Sequence, residues 1–141
     1  MGTKRNILVD ERGVPLSLVV SGANRHDSVS LEALLKERVV APADPEQTQN
    51  LCLDAGYVGK GDVAEASGFI PHIRPRGEEK QLIERDSTFK PRRWVVELTH
   101  SWFNRFRKLI PRYEKTDLSY KALCALAAAM IALNKVIGIY G

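Results

Sequence analysis

Cysteine is scarce in this chain of 141 residues: only Cys52 and Cys124 are present, far apart in the sequence. No CxxC motif and no cluster of cysteine with histidine accompanies them, which excludes a zinc ribbon and a disulfide framework. We therefore expect two buried free thiols in a reducing compartment.

Long hydrophobic runs are also lacking. The first residues, MGTKRN, have no apolar stretch behind their charges, so they do not form a signal peptide. The longest apolar run, residues 122–133, is too short to cross a bilayer core of about 30 Å, and we expect it to be a buried helix. The chain has the length of one domain. We expect a cytoplasmic protein with no membrane partner.

Acidic residues are outnumbered, 17 against 21 basic ones, and the net charge is +4. Most of the excess lies between Lys90 and Lys115, where aromatic residues alternate with cations. Such a stripe suits a polyanion such as nucleic acid. It is equally typical of an ordinary solvated face.

The periodicities predict an α/β chain. We expect a β-hairpin at 6–21, helices at 28–39, 61–67, 92–109 and 118–137, strands at 50–54 and 69–73, and a loop at 75–91. The order strand, helix, strand over 50–73 predicts parallel strands with a right-handed crossover.

The helix predicted at 92–109 has two faces. Its apolar stripe is expected to pack on the core and contains Trp94, Leu98, Trp102, Phe106 and Leu109. Its polar face contains Arg93, Glu97, His100, Ser101, Asn104 and Lys108. Glu97 is either part of an exposed ion pair with Arg93, or a metal-ligand carboxylate on a helix that also binds phosphates.

A second acid, Asp54, stands directly after the apolar strand 50–53 and before Gly56. Functional groups are common at this position in α/β proteins, because the strand fixes the acid and the loop leaves it accessible.

Four ordered blocks, LVDERGVPLSLVVSGANRHDS, LCLDAGY, IPHIRPRGEE and RRWVVELTHSWFNRFRKL, together resemble the catalytic domain of DDE transposases of bacterial insertion sequences. The resemblance implies an RNase H-like fold, a mixed five-stranded sheet flanked by helices. It also implies a site in which two aspartates and a glutamate hold two divalent metals, Mg²⁺ or Mn²⁺. By this resemblance Asp54 corresponds to the second aspartate and Glu97 to the glutamate, and Arg93 matches the arginine of the signature around that acid.

The resemblance further implies DNA as the partner, both the ends of the insertion sequence and the target, in the bacterial cytoplasm at the nucleoid. The candidate DNA-binding residues are Arg92, Arg93, Arg105, Arg107, Lys108 and Arg112.

The first aspartate of the family, on the first and central strand, has no counterpart in this sequence. We expect this strand to be missing, and an upstream transposase segment or a homo-oligomer to complete the site. Asp27 is a weak candidate for a replacement, although an N-cap is its commoner role. Asp10 is expected at the opposite end of the sheet. His100 and Asn104 are further weak candidates.

Three interpretations therefore remain. The chain is part of a DNA transposase that cuts and joins strands by two-metal chemistry, or a catalytically inactive remnant that only binds DNA, or a small basic interaction module.

Overall fold

The computed structural model describes residues 2–41, 44–75, 77–86 and 93–140, and it has an α/β architecture. The strands are β1 (Thr3–Val9), β2 (Pro15–Gly22), β3 (Gln49–Leu53) and β4 (Phe69–Ile73). The helices are α1 (Leu31–Lys36), α2 (Gly61–Ala66), α3 (Glu78–Arg85), α4 (Arg93–Phe103) and α5 (Asp117–Tyr140). Short 3₁₀ turns lie at Asp27–Ser30, Ala55–Tyr57 and Arg107–Leu109.

The hairpin of β1 and β2 is antiparallel, with Ile7 opposite Leu18. Its turn depends on Asp10, whose carboxylate accepts the backbone N–H groups of Arg12 (2.9 Å) and Val14 (2.8 Å). Gly13 has a φ of 84°, in the left-handed region that glycine adopts without strain.

Alternation of side chains along β1 divides the core in two. Ile7 and Leu18 face a cluster that we call the helical core, formed with residues of α4, the turn Arg107–Leu109 and α5: Phe103, Leu109, Tyr120, Cys124, Ala127 and Ile131. Leu8 faces the opposite way, into a cluster that we call the leucine core, formed with Leu31, Leu34, Leu35, Leu51, Ala64 and Phe69. Because consecutive strand residues point to opposite faces, one hairpin supports both cores.

Strands β3 and β4 are parallel, with Leu51 opposite Pro71, as the order strand, helix, strand predicted. The crossover helix α2 buries Ala64 completely in the leucine core. Within the described residues, β1 pairs with β2 and β3 pairs with β4, so the structure has two two-stranded sheets rather than one mixed sheet.

The helix predicted at 92–109 is shorter than expected, since α4 ends at Phe103 and residues 107–109 form a separate 3₁₀ turn. The N–H groups of Arg105 and Phe106 bond to carbonyls only three residues back, and Phe106 is extended, which ends the α-helical ladder. The chain then turns, and Leu109 enters the helical core.

The predicted apolar stripe on this helix is correct only in part: Leu109 belongs to the helical core, and Trp102 and Phe106 pack against it, but Trp94 does not. Trp94 is 55% exposed, and the buried residues of α4 are Val95, Thr99 and Phe103. The polar Thr99 can lie on the buried face because its hydroxyl has hydrogen-bond acceptors within reach. The carbonyl of Gly13 lies at 2.8 Å and that of Val95 at 3.1 Å. Trp102 is half-buried against the helical core.

The segment 75–91, predicted as a loop, contains the helix α3 at Glu78–Arg85. The helix has an acid at its first position and Arg85 in its last turn, the arrangement that a helix dipole favours. Its apolar residues are too few to give a periodic signal.

The prediction of two buried thiols is correct for only one of them. Both cysteines are free, but Cys124 is buried and Cys52 is exposed.

The apolar run 122–133 lies within α5, a helix of 24 residues. Residues 117–138 of this helix are long and apolar enough to cross a membrane, by length and composition alone. The helix is buried on one side only. Tyr120, Cys124, Ala127 and Ile131 enter the helical core, while Leu118 is 79% exposed.

Replacing Gly13 with alanine tests the close contact between the hairpin turn and α4. A Cβ at this position would lie 2.9 Å from the Thr99 hydroxyl and 3.2 Å from the Trp102 ring. Gly59 has the same φ of 84° with open space around it, so it is a matched control. We expect Gly59→Ala to lower the free energy of unfolding by about 1–2 kcal/mol, the cost of a left-handed residue. Gly13→Ala should cost about 1–3 kcal/mol more, because of overpacking.

Chemical denaturation of both variants measures the difference. Equal losses at the two positions would contradict the packing of α4 on the turn.

Candidate metal centre and nucleic-acid interface

Asp54 follows β3 directly and begins the 3₁₀ turn Ala55–Tyr57. Its Oδ1 accepts the backbone N–H of Gly56 at 2.8 Å, which fixes the orientation of the carboxylate. The residue is exposed. It therefore has a structural role as an N-cap and an open position that a ligand can reach.

Asp27 does not cap a helix, contrary to the role expected from its residue type. The turn Asp27–Ser30 is capped by His26, whose Nδ1 accepts the backbone N–H of Ser28 at 3.4 Å. The Asp27 carboxylate instead pairs with the Lys4 ammonium of β1 at 2.6 Å. This contact holds the turn against the amino end of β1.

Tyr57 lies close to both aspartates. Its ring packs against the leucine core. Burial, followed by the negative charges of Asp27 and Asp54, raises the pKa of Tyr57 to about 12. The phenol therefore stays protonated at neutral pH, next to two carboxylates. The turns Asp27–Ser30 and Ala55–Tyr57 contact each other, and Asp27 pairs with Lys4, so the carboxyl end of β3 lies at the same end of the domain as the amino end of β1.

Glu97 is exposed on α4, and the polar face predicted around it includes His100 and Asn104. Arg5 of β1 reaches this face: its Nη2 donates to Asn104 Oδ1 at 2.9 Å. Its guanidinium carbon also lies 5.5 Å from the centre of the buried Phe103 ring. Burial, and then the nearby Arg5 charge, lower the pKa of His100.

Lys4 and Arg5 thus connect the two groups of candidate residues. They are consecutive in β1, so their side chains point to opposite faces. Lys4 contacts Asp27, whose turn contacts the turn that Asp54 caps, whereas Arg5 contacts Asn104 just after α4, the helix that carries Glu97. Even so, the described part of the chain contains no group of three His, Cys, Asp or Glu side chains able to hold a metal ion.

The candidate DNA-binding cations fall into two classes. Arg105, Arg107 and Lys108 are exposed at the end of α4 and in the following turn. Arg112 is bound within the domain: its guanidinium donates to Thr3 Oγ1 at 2.7 Å and pairs with Asp117. Arg92 and the side chain of Arg93 lie outside the described residues.

Sequence reasoning missed Arg5 and the role of Lys4. Two adjacent cations stand at the start of an apolar strand, so each needs a polar partner on its own face of the sheet. The two adjacent cations were therefore a signal in the sequence that polar partners are needed. The sequence did not identify these partners, because Asp27 and Asn104 are distant from Lys4 and Arg5 along the chain.

Comparison with known proteins identifies the class. Residues 1–132 match the family described as the transposase DDE domain. This chain therefore belongs to the transposase DDE domain family.

One relative is a protein of Burkholderia cepacia, provisionally named as the transposase for insertion sequence element IS402. It is 29% identical over an alignment of 141 positions, which covers 94% of this chain and 64% of the relative. The chain thus spans less than two thirds of the length of that relative. No solved structure matches this chain significantly.

Substituting Arg5 tests the link between β1 and the polar face of α4. Because the Arg5 charge contributes to the lowered pKa of His100, we expect Arg5→Gln to raise that pKa toward its usual 6.5. The change should be partial, since burial is the larger cause. Titration of the His100 ring signals by NMR measures it. Arg12→Gln, in the exposed hairpin turn, is the control and should leave His100 unaffected. An unchanged or lower pKa in Arg5→Gln would contradict the contact.

Proposed function

We propose that this chain is part of the catalytic domain of an insertion-sequence transposase, which cleaves DNA strands and transfers them to a target. Membership of the family and the name of the Burkholderia relative support this proposal. The observation that carries it furthest is the match of residues 1–132 to the transposase DDE domain family, and the structure adds that Lys4 pairs with Asp27 while Arg5 donates to Asn104 beside the helix of Glu97.

In this proposal Asp54 and Glu97 are catalytic carboxylates. Cleaving and rejoining a phosphodiester is an in-line displacement, and two divalent cations, when bound, stabilise its attacking and leaving oxygens. Mg²⁺ and Mn²⁺ prefer hard oxygen ligands such as carboxylates. Asp54 and Glu97 are suitable in kind, but the described residues do not form a group of three such ligands. The fit is therefore partial, and at least one further carboxylate must come from elsewhere.

The residues of this chain would prepare the site in three ways. The Gly56 N–H orients the Asp54 carboxylate, and Lys4 neutralises part of the negative charge beside it. Tyr57 remains a neutral phenol next to both aspartates. Arg5 holds the end of α4 and thereby the helix that carries Glu97.

We also propose the RNase H-like sheet that the resemblance implies, with one more strand between β1 and β3. Among the described strands, β1 and β3 each have one partner, and Leu8 and Leu51 belong to the same core. The carboxyl end of β3 lies near the amino end of β1, so the two strands run in opposite directions. A strand parallel to β3 would then be antiparallel to β1, which gives a mixed sheet. An upstream segment or a second copy would supply this strand and the first aspartate.

A second candidate function is a catalytically inactive remnant that only binds DNA in the bacterial cytoplasm. The partial set of carboxylates favours it. The two functions differ in their response to metal: DNA binding by a remnant depends on salt but is unaffected by Mg²⁺.

Charge-removing substitutions test the proposed carboxylates. We expect Asp54→Asn and Glu97→Gln each to abolish strand transfer by the chain combined with the proposed upstream segment, while folding is retained. Asparagine keeps an oxygen for the Gly56 N–H, so this variant separates the charge of Asp54 from its cap. Strand-transfer assays with Mg²⁺ measure the effect.

The matched control is Asp44→Asn, an exposed acid in the loop between α1 and β3. Full joining activity in either Asp54→Asn or Glu97→Gln would refute its assignment.

The basic segment gives a separate prediction. We expect Arg107→Gln with Lys108→Gln to weaken DNA binding and to reduce the slope of log affinity against log salt by about 1–2, since each phosphate contact contributes about 0.9. Arg112→Gln should leave this slope unchanged. It should instead lower the free energy of unfolding by about 1–2 kcal/mol, through lost contacts with Thr3, Asp117 and the Tyr120 ring.

Fluorescence anisotropy over a salt series, together with denaturation curves, measures both effects. If Arg112→Gln reduced the salt slope as much as the double variant does, the distinction between the exposed Arg107 and Lys108 and the internally bound Arg112 would be wrong.

A further inference from the structure

A groove lies between α5 and the turn Arg107–Leu109, with a volume of about 320 Å³. Six of its lining residues are apolar: Phe106, Leu109, Leu123, Leu126, Ala127 and Met130. The four that α5 supplies have the spacing i, i+3, i+4 and i+7. They therefore follow one face of the helix over two turns, a length of about 10 Å.

The floor of this groove belongs to the domain, whereas its outer wall is open. Leu109 and Ala127 are buried in the helical core. Leu126 is 59% exposed and Met130 is 48% exposed, and the two are one helical turn apart. Adjacent apolar side chains that are exposed along a concave surface mark an interaction site, and methionine adapts its shape to a partner.

Two cations line the same groove. Arg107 and Lys108 are both exposed. Neither forms a salt bridge with another residue that the structure describes, in contrast to Arg112, which pairs with Asp117. The groove thus offers two available positive charges beside an apolar floor. The complementary ligand has apolar groups next to negative ones.

An unstacked nucleobase does not complement this groove. Proteins hold such a base by hydrogen bonds to its edge and by stacking on its ring. The lining residues that the structure describes include no uncharged polar side chain, and their one aromatic ring, that of Phe106, is half-buried against the helical core.

A second copy of α5 does not complement it either. Asp117, at the start of the helix, already pairs with Arg112, and residues 118–141 contain no acid. A second α5 would bring apolar side chains but no carboxylate for Arg107 and Lys108. Charge complementarity therefore favours a different, acidic partner.

We propose that this groove binds a short amphipathic helix of a partner protein, with apolar side chains in the groove and carboxylates paired with Arg107 and Lys108. A helix suits the groove because apolar anchors spaced over two turns are the pattern of helix-in-groove recognition. The docking does not depend on strand transfer. Because Arg107 and Lys108 are also the proposed phosphate contacts, the acidic partner and DNA exclude each other at this segment.

A synthetic peptide tests the charge complementarity. The probe is a fluorescein-labelled helix of about 14 residues, or four turns, with leucine along one face and glutamate on either side of it. Its twin has glutamine at every glutamate position. In fluorescence anisotropy with the 141-residue chain, the glutamate peptide should bind at least about tenfold more tightly than the twin. Arg107→Gln with Lys108→Gln should remove this preference. Equal affinity of the two peptides for the wild-type chain would overturn the proposal.

The apolar wall is tested separately. Leu126→Gln with Met130→Gln should weaken the binding of both peptides by at least about tenfold, since it removes apolar contacts and keeps both cations. Glutamine is a good helix former and both positions are exposed, so circular dichroism should show an unchanged fold. Leu133→Gln, at an exposed position of α5 that does not line the groove, is the matched control and should bind the peptides as the wild type does.

Three other results would also overturn the proposal. The first is a Leu126→Gln and Met130→Gln variant that binds the peptides as tightly as the wild type. The second is a loss of duplex DNA affinity in that variant, which would assign the groove to DNA. The third is a wild-type dimer in sedimentation analysis that the same variant dissociates, which would assign the groove to a second copy.

Discussion

The amino end of β1 is the constraint on which the rest of the site depends. Lys4 and Arg5 are adjacent, and the alternation of a strand directs one cation to each face. Lys4 holds the turn of Asp27, and Arg5 holds the end of α4. Because β1 also divides the leucine core from the helical core, a shift of this strand would move both groups of candidate residues together.

Several polar side chains have roles in the fold that their residue type alone does not reveal. Asp54 caps a turn while it remains exposed, and the buried Thr99 hydroxyl lets a polar residue face the hairpin turn. Arg112 belongs to a basic segment that suits DNA, yet its guanidinium is bound by Thr3 and Asp117 within the domain. Charge alone therefore does not identify a phosphate contact. The partners of each cation within the fold decide its availability.

The sequence predicted local features well, and tertiary ones poorly. The hairpin turn with Gly13, the parallel pair β3 and β4, and the place of Asp54 after its strand all follow from short-range patterns. The buried face of α4 could not be read correctly, because Thr99 is satisfied by a carbonyl 86 positions away in the chain. Asp27 has the residue type of an N-cap, but Lys4 lies within reach only after the strands and turns have packed.

We propose that Asp54 and Glu97 bind the same pair of divalent cations. Paramagnetic line broadening by Mn²⁺ tests this most directly in the chain combined with the proposed upstream segment, through the backbone amides of Gly56 and Glu97. The account predicts that both amides broaden over the same range of Mn²⁺ concentration, and that Asp54→Asn removes both effects together. Broadening at only one of the two positions, or persistence at Glu97 in the Asp54→Asn variant, would contradict it.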